Sequence, residues 1–164
     1  MKTLLVLRHA KSSWKNLALA DIDRPLNKRG KQDAPRIGAL LHDEDLIPEM
    51  IISSPALRAR KTAEAVAENS WYEGEIEIQA DFYPGDPDSF IEAFYSIPDQ
   101  IERVLIVAHN PGLEELLFIL TGESVRMPTS ALAQVTLPVD RWLDLDEDIE
   151  GKLVNLWQVK ELPH

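Results

Sequence analysis

Two arginines and two histidines stand where side chains can do chemistry in this 164-residue chain. Arg8 and His9 end the apolar run Leu4 to Leu7, Arg58 lies inside "SSPALRARKT", and His109 follows the apolar run "RVLIVA". Guanidinium groups grip tetrahedral oxyanions through paired N–H donors, and they stabilise the charge that spreads over a phosphoryl group in transfer. A neutral imidazole can attack phosphorus, and neighbouring arginines favour that neutral form by repelling its proton. Two Arg and two His gathered in one crevice therefore point to phosphoryl chemistry. A metal site fits these residues poorly. The remaining histidines are His42 and His164, so no His-x-His or His-x-x-x-His pair exists, and adjacent arginines repel a cation. No metal and no cofactor are expected. The Gly-x-Ser-x-Gly elbow of a serine hydrolase is missing as well.

The elements that must hold these residues alternate between strand and helix. Leu4 to Leu7 reads as a strand, and Asn27 caps a helix running to about Asp43. Met50 to Ser53 is a second strand. The helix after it takes Ser54 as N-cap and Pro55 at its first position, which puts Arg58 about one turn in, leaning back over the strand end. Ile76 to Gln79 is a short strand, and "DPDSFIEAFYSI" is a helix burying Phe90, Ile91 and Phe94. Arg103 to Ala108 is continuously apolar after its first residue, as a strand covered on both faces should be. Asn110 and Pro111 repeat the cap-proline grammar before a helix with Leu113, Leu116, Leu117 and Leu120 on one face. Ala131 to Leu137 and Lys152 to Val159 are later strands, the second near a sheet edge. This order predicts a single α/β domain over residues 1–164, a three-layer sandwich with a mostly parallel central sheet flanked by helices. Ligands of such sheets bind beyond the carboxyl ends of the strands, where Arg8, His9 and His109 fall.

Composition narrows the partners. The net charge of −11 disfavours nucleic acid and anionic membranes. No apolar run is long enough for a bilayer, and no signal-peptide layout opens the chain, so a cytoplasmic location is expected. The absence of cysteine excludes disulfides and thiolate catalysis. The acidic run Asp144 to Glu150 reads as a solvated loop. Trp142 and Trp157 read as packing residues, and Lys11 to Trp14 as a pocket rim with a flexible loop to Arg24. No chemistry is assigned to residues 138–164.

The motifs "LRHAKSSW", "DRPLNKRG", "SSPALRARKT" and "VAHNPG", in this order, resemble the histidine phosphatase superfamily, also called phosphoglycerate mutase-like. The short length and "PTSALAQVTL" resemble its small SixA-type phosphohistidine phosphatase branch. The resemblance implies that His9 is the nucleophile that becomes phosphorylated, and that Arg8, Arg58 and His109 complete the phosphate pocket. Asn110, next to His109, joins the substrate-binding set. It also implies a metal-independent hydrolase acting on a phosphorylated protein. Two alternatives stay open: a phosphatase for small phosphomonoesters, and a catalytically inactive phosphate-binding module. Two departures from the family pattern carry expectations. Position 10 is Ala where the signature has Gly, so a glycine-only backbone dihedral would be lost. No acid motif is evident beside the pocket, and Asp81 and Asp86 read as turn and helix-cap residues. A missing acid suits a phosphorylated imidazole, which leaves more readily than an alkoxide.

Overall fold

Four parallel strands share one direction because each is followed by a helix that returns the chain across the sheet. The computed structural model describes residues 1–162, so His164 and the end of the expected domain lie outside the described residues. In chain order the elements are β1 (Lys2–Arg8), α1 (Lys28–Asp43), β2 (Met50–Ser53), α2 (Leu57–Ser70), β3 (Ile76–Ile78), α3 (Pro87–Phe94), β4 (Arg103–Ala108), α4 (Gly112–Thr121), β5 (Leu132–Leu137) and β6 (Lys152–Trp157). They form one six-stranded sheet in the order β3-β2-β4-β1-β5-β6. The β3–β2, β2–β4 and β4–β1 pairings are parallel, whereas β5 runs against both β1 and β6. The sheet is therefore mostly parallel, with helices on both faces.

The central strands are apolar throughout because each face meets a helical layer. Leu4, Val6 and Ile106 pack with Phe90, Phe94, Leu113, Leu116 and Leu117 of α3 and α4. Leu5, Leu7 and Val107 point the other way, onto Ile37 and Leu41 of α1 and Ala59, Ala63 and Val66 of α2. Trp142 is fully buried against Phe94 and donates its indole N–H to the Ile101 carbonyl at 2.7 Å. Trp157 is part-buried on the edge strand β6. The acidic side chains between Asp144 and Glu150 are exposed, with only Leu145 buried and Ile149 part-buried among them.

Both cap-proline junctions fold differently from expectation. α2 begins at Leu57 with Ala56 at the cap, and α4 begins at Gly112 with Pro111 at the cap. The polar side chains expected as caps are engaged elsewhere. Ser54 meets His109, and the Asn110 amide donates to the Met127 carbonyl at 2.8 Å. By contrast Asn27 does cap α1, accepting from the Gly30 N–H, and Asp86 caps α3, accepting from the Ser89 N–H.

Candidate active site

Strand register assembles the site. Arg8 pairs with Ala108 across β1 and β4, so the next residues, His9 and His109, leave the sheet side by side. Their ring centroids lie 5.1 Å apart. Ser53 pairs with Val107, which brings Ser54 level with the same edge. Arg58 enters from the first turn of α2. His9, Arg58 and His109 are all buried, each only 6% exposed, so their charges and lone pairs act in a low-dielectric crevice.

The loop after β1 is held by both neighbouring helices. The Ala10 N–H donates to Thr62 Oγ1 at 2.9 Å, and Thr62 donates in turn to the Arg58 carbonyl at 2.7 Å. Thr62 thus ties the His9 loop to the helix that carries Arg58. On the other side the Asn27 N–H donates to the Lys11 carbonyl. Gly30 is required there, because a Cβ would lie 2.1 Å from the Lys11 oxygen. Ala10 is fully buried, and it is not among the positive-φ residues Asp45, Trp71 and Ser130. The glycine-only dihedral expected at position 10 is therefore not used, and alanine fits without strain. The loop expected to run flexibly to Arg24 is anchored at its Arg24 end. Arg24 binds Asp21 and Ser12, each at 3.0 Å, and covers the Trp14 ring at 3.4 Å.

The hydrogen-bond partners differ between the two imidazoles. His9 Nδ1 lies 2.8 Å from the Ala10 carbonyl, which can only accept, so Nδ1 carries the hydrogen and Nε2 keeps its lone pair. Ser54 Oγ accepts from the Ala56 N–H at 3.1 Å and shares a hydrogen bond of 2.7 Å with His109 Nε2. His109 Nδ1 is a buried atom with no hydrogen-bond partner among the described residues. Both rings are held neutral. Burial is the largest cause, lowering His9 to about 4, opposed by the Ala10 carbonyl bond and assisted by Arg58, Arg8 and Arg24. His109 is lowered to about 3, first by burial and then by His9, Arg58 and Arg8, with Asp21 opposing. The sequence argument put the arginines first; the structure puts desolvation ahead of them.

Sequence reasoning missed Asp21 and Tyr83. Asp21, on a short 3-10 turn (Asp21–Asp23), accepts from Arg58 at 3.0 Å and from the Tyr83 hydroxyl at 2.6 Å, while its backbone carbonyl accepts from Arg58 at 2.7 Å. The hydrogen bond from Tyr83 leads in lowering the Asp21 carboxyl to about 2, with Arg58 and Arg24 assisting against burial. The available signal was the Asp in "DIDRPL", three residues before Arg24, but nothing local showed that it meets α2. Asp81 lines a separate cavity with Glu77 and Ser89, and Asp86 is the cap of α3, so neither joins the cluster. Arg8 donates to the Met127 carbonyl at 3.1 Å, the acceptor it shares with Asn110. Among the described residues no group of three or more His, Asp or Glu is placed to hold a metal ion.

Two imidazoles thus stand beside the buried guanidinium of Arg58 and the part-buried one of Arg8. The model of the histidine phosphatase superfamily (branch 1) matches residues 4–82. An uncharacterized chloroplastic protein of Arabidopsis thaliana is 32% identical over 153 residues, covering 86% of this chain and 69% of its own. The protein histidine phosphatase SixA complexed with tungstate superposes with a TM-score of 0.84 at 25% identity, over 98% of this chain and 99% of its own. The chain belongs to the histidine phosphatase superfamily. It is a phosphatase with a SixA-type α/β fold. The fold is shared with phosphatases of small molecules: a mycobacterial glucosyl-3-phosphoglycerate phosphatase superposes with a TM-score of 0.69 at 14% identity, over 93% of this chain and 97% of its own. No helix among the described residues is long and apolar enough to cross a membrane.

Proposed function

We propose that this phosphatase removes the phosphoryl group from phosphohistidine in a protein, through a phospho-His9 intermediate and without a metal. Neutral His9 Nε2 attacks phosphorus in line. A new N–P bond forms as the P–N bond of the substrate breaks, and the departing imidazole takes a proton from water. Arg8, Arg58 and His109 hold the phosphoryl oxygens as charge spreads over them, with Asn110 beside them at the Met127 side. Water then attacks phospho-His9, releasing phosphate and restoring the neutral ring. The tautomer of His9 supports the first step, because its only lone pair on nitrogen is on Nε2.

The observation that carries the substrate choice is Asp21. It is the carboxylate hydrogen-bonded into the cluster, and Tyr83 and Arg58 keep it ionised far below neutral pH. A group lowered to about 2 has no proton to give an alkoxide. General acid catalysis contributes about 10² to 10⁴ in rate, which a sugar phosphate forgoes here and a phosphorylated imidazole does not need. The test compares kcat/KM for a phosphohistidine peptide and a sugar phosphate under one set of conditions. The peptide is expected to lead by about 10² or more, with all turnover lost in His9→Ala and none lost on adding EDTA. Comparable rates would favour a small-molecule phosphatase, and oxyanion binding without turnover would leave a non-catalytic binding module.

A further inference from the structure

A groove leads away from the phosphate-binding side chains, and its charge is opposite to that of the molecule. Arg8 and Asn110 form one end of a cavity of about 530 Å³ whose walls include Arg126, Gln158 and Lys160. Pro128, Gln158 and Lys160 also line an adjoining cavity of about 190 Å³ that reaches Lys11 and Arg29 on the far side. The two share these walls, and they are assembled from four separate parts of the chain. Lys11 comes from the loop after β1, Arg29 from α1, Arg126 from the segment between α4 and β5, and Lys160 from the turn that follows β6.

Two carboxylates also line the groove, and both are engaged. Glu114 accepts from the Met127 N–H at 2.7 Å, and Asp33 is paired with Arg29 at 3.2 Å and Arg36 at 3.7 Å. Lys11, Arg126 and Lys160 are exposed and make no ion pair among the described residues. The groove therefore offers free cationic charge in a chain whose net charge is −11. An acidic partner is repelled by most of such a surface and attracted here, which orients it as well as holding it.

We propose that this groove seats an acidic segment next to the phosphorylated residue of the protein substrate. Lys11, Arg126 and Lys160 pair with its carboxylates while the phosphoryl group enters beside Arg8. The proposal rests on the protein-substrate reading above and adds a sequence preference to it. It also assigns a role to the end of the chain, since Lys160 lies in the segment to which the sequence assigned no chemistry.

Two phosphohistidine peptides of equal length test it, one flanked by Asp and Glu and the other by Ser and Gln, with phosphoramidate as a substrate lacking any flank. Three exposed ion pairs are expected to favour the acidic peptide by about 3- to 30-fold in kcat/KM at low ionic strength. The variant R126E/K160E is expected to lose that preference, as is the unmodified protein at high salt, with phosphoramidate hydrolysis unchanged. Equal kcat/KM for the two peptides, or a preference that survives in R126E/K160E, overturns the groove and leaves the phosphohistidine reading standing. Turnover of phosphoramidate but of neither peptide overturns the protein-substrate reading and the groove with it.

Discussion

Acidification should destabilise this protein through its two buried imidazoles before most carboxylates respond. An unfolded His titrates near 6.5, whereas folded His9 is held at about 4 and His109 at about 3. Their folded values are depressed, so below about pH 6.5 the unfolded chain binds protons that the folded chain refuses. Stability is then lost as pH falls, at up to about 1.4 kcal/mol per pH unit for each ring, and the loss levels off only below the folded values. Between pH 7 and pH 5 this amounts to about 2 kcal/mol per ring. The figure hardly depends on how low each folded value lies, because both rings stay largely neutral at pH 5 in the folded state. Urea unfolding at the two pH values, for the unmodified protein and for His9→Gln and His109→Gln, isolates the effect. The carboxylates are common to all three proteins and cancel in the double difference. Each variant is expected to shed about 2 kcal/mol of the pH-dependent loss. A variant as acid-sensitive as the unmodified protein would refute the claim that burial holds that ring neutral.

Three further substitutions probe the parts that position the site. Ser54→Ala orphans the Ala56 N–H and His109 Nε2, at about 1–3 kcal/mol for each buried group, and should change the nitrogen resonances of the His109 ring. Urea unfolding with nitrogen NMR of the imidazole checks both, and an unchanged ring spectrum would count against the Ser54 bond. Ala10→Gly should leave kcat within about threefold and cost about 0.5–1 kcal/mol of stability, because position 10 does not use a left-handed backbone. A large gain in rate would show that the alanine impairs the loop. Gly30→Ala should cost about 1–3 kcal/mol and raise KM, because its Cβ meets the Lys11 carbonyl that shapes the His9 loop. Unaltered stability and kinetics would show that the contact relaxes freely.

The strands and the four helices are legible in the sequence because their apolar periods report burial directly. Arg103 to Ala108 has a partner layer on each face, and its pattern says so. The meeting of Arg8, His9, Arg58 and His109 is legible because three lie at or just past the carboxyl ends of parallel strands and Arg58 lies in the first turn of the helix that follows one. The Ser54 and Asn110 caps misled for a physical reason. A hydroxyl or amide can satisfy a helix terminus or a distant group, and tertiary neighbours decided for His109 and Met127. Asp21 and Tyr83 were invisible because Asp21 lies 37 positions from Arg58 and 62 from Tyr83, with no periodicity to announce either contact. The balance between burial and neighbouring charge on His9 was likewise beyond a one-dimensional pattern, since it depends on how much protein covers the ring.

The central claim is that His9 carries the phosphoryl group between substrate and water. Rapid acid-avoiding quench of the enzyme during turnover of a phosphohistidine peptide, followed by alkaline digestion and mass mapping, tests it directly. The account predicts an acid-labile phosphate on the peptide containing Arg8-His9-Ala10, absent from His9→Ala. A phosphate mapped to any other residue, or full turnover by His9→Ala, would contradict it.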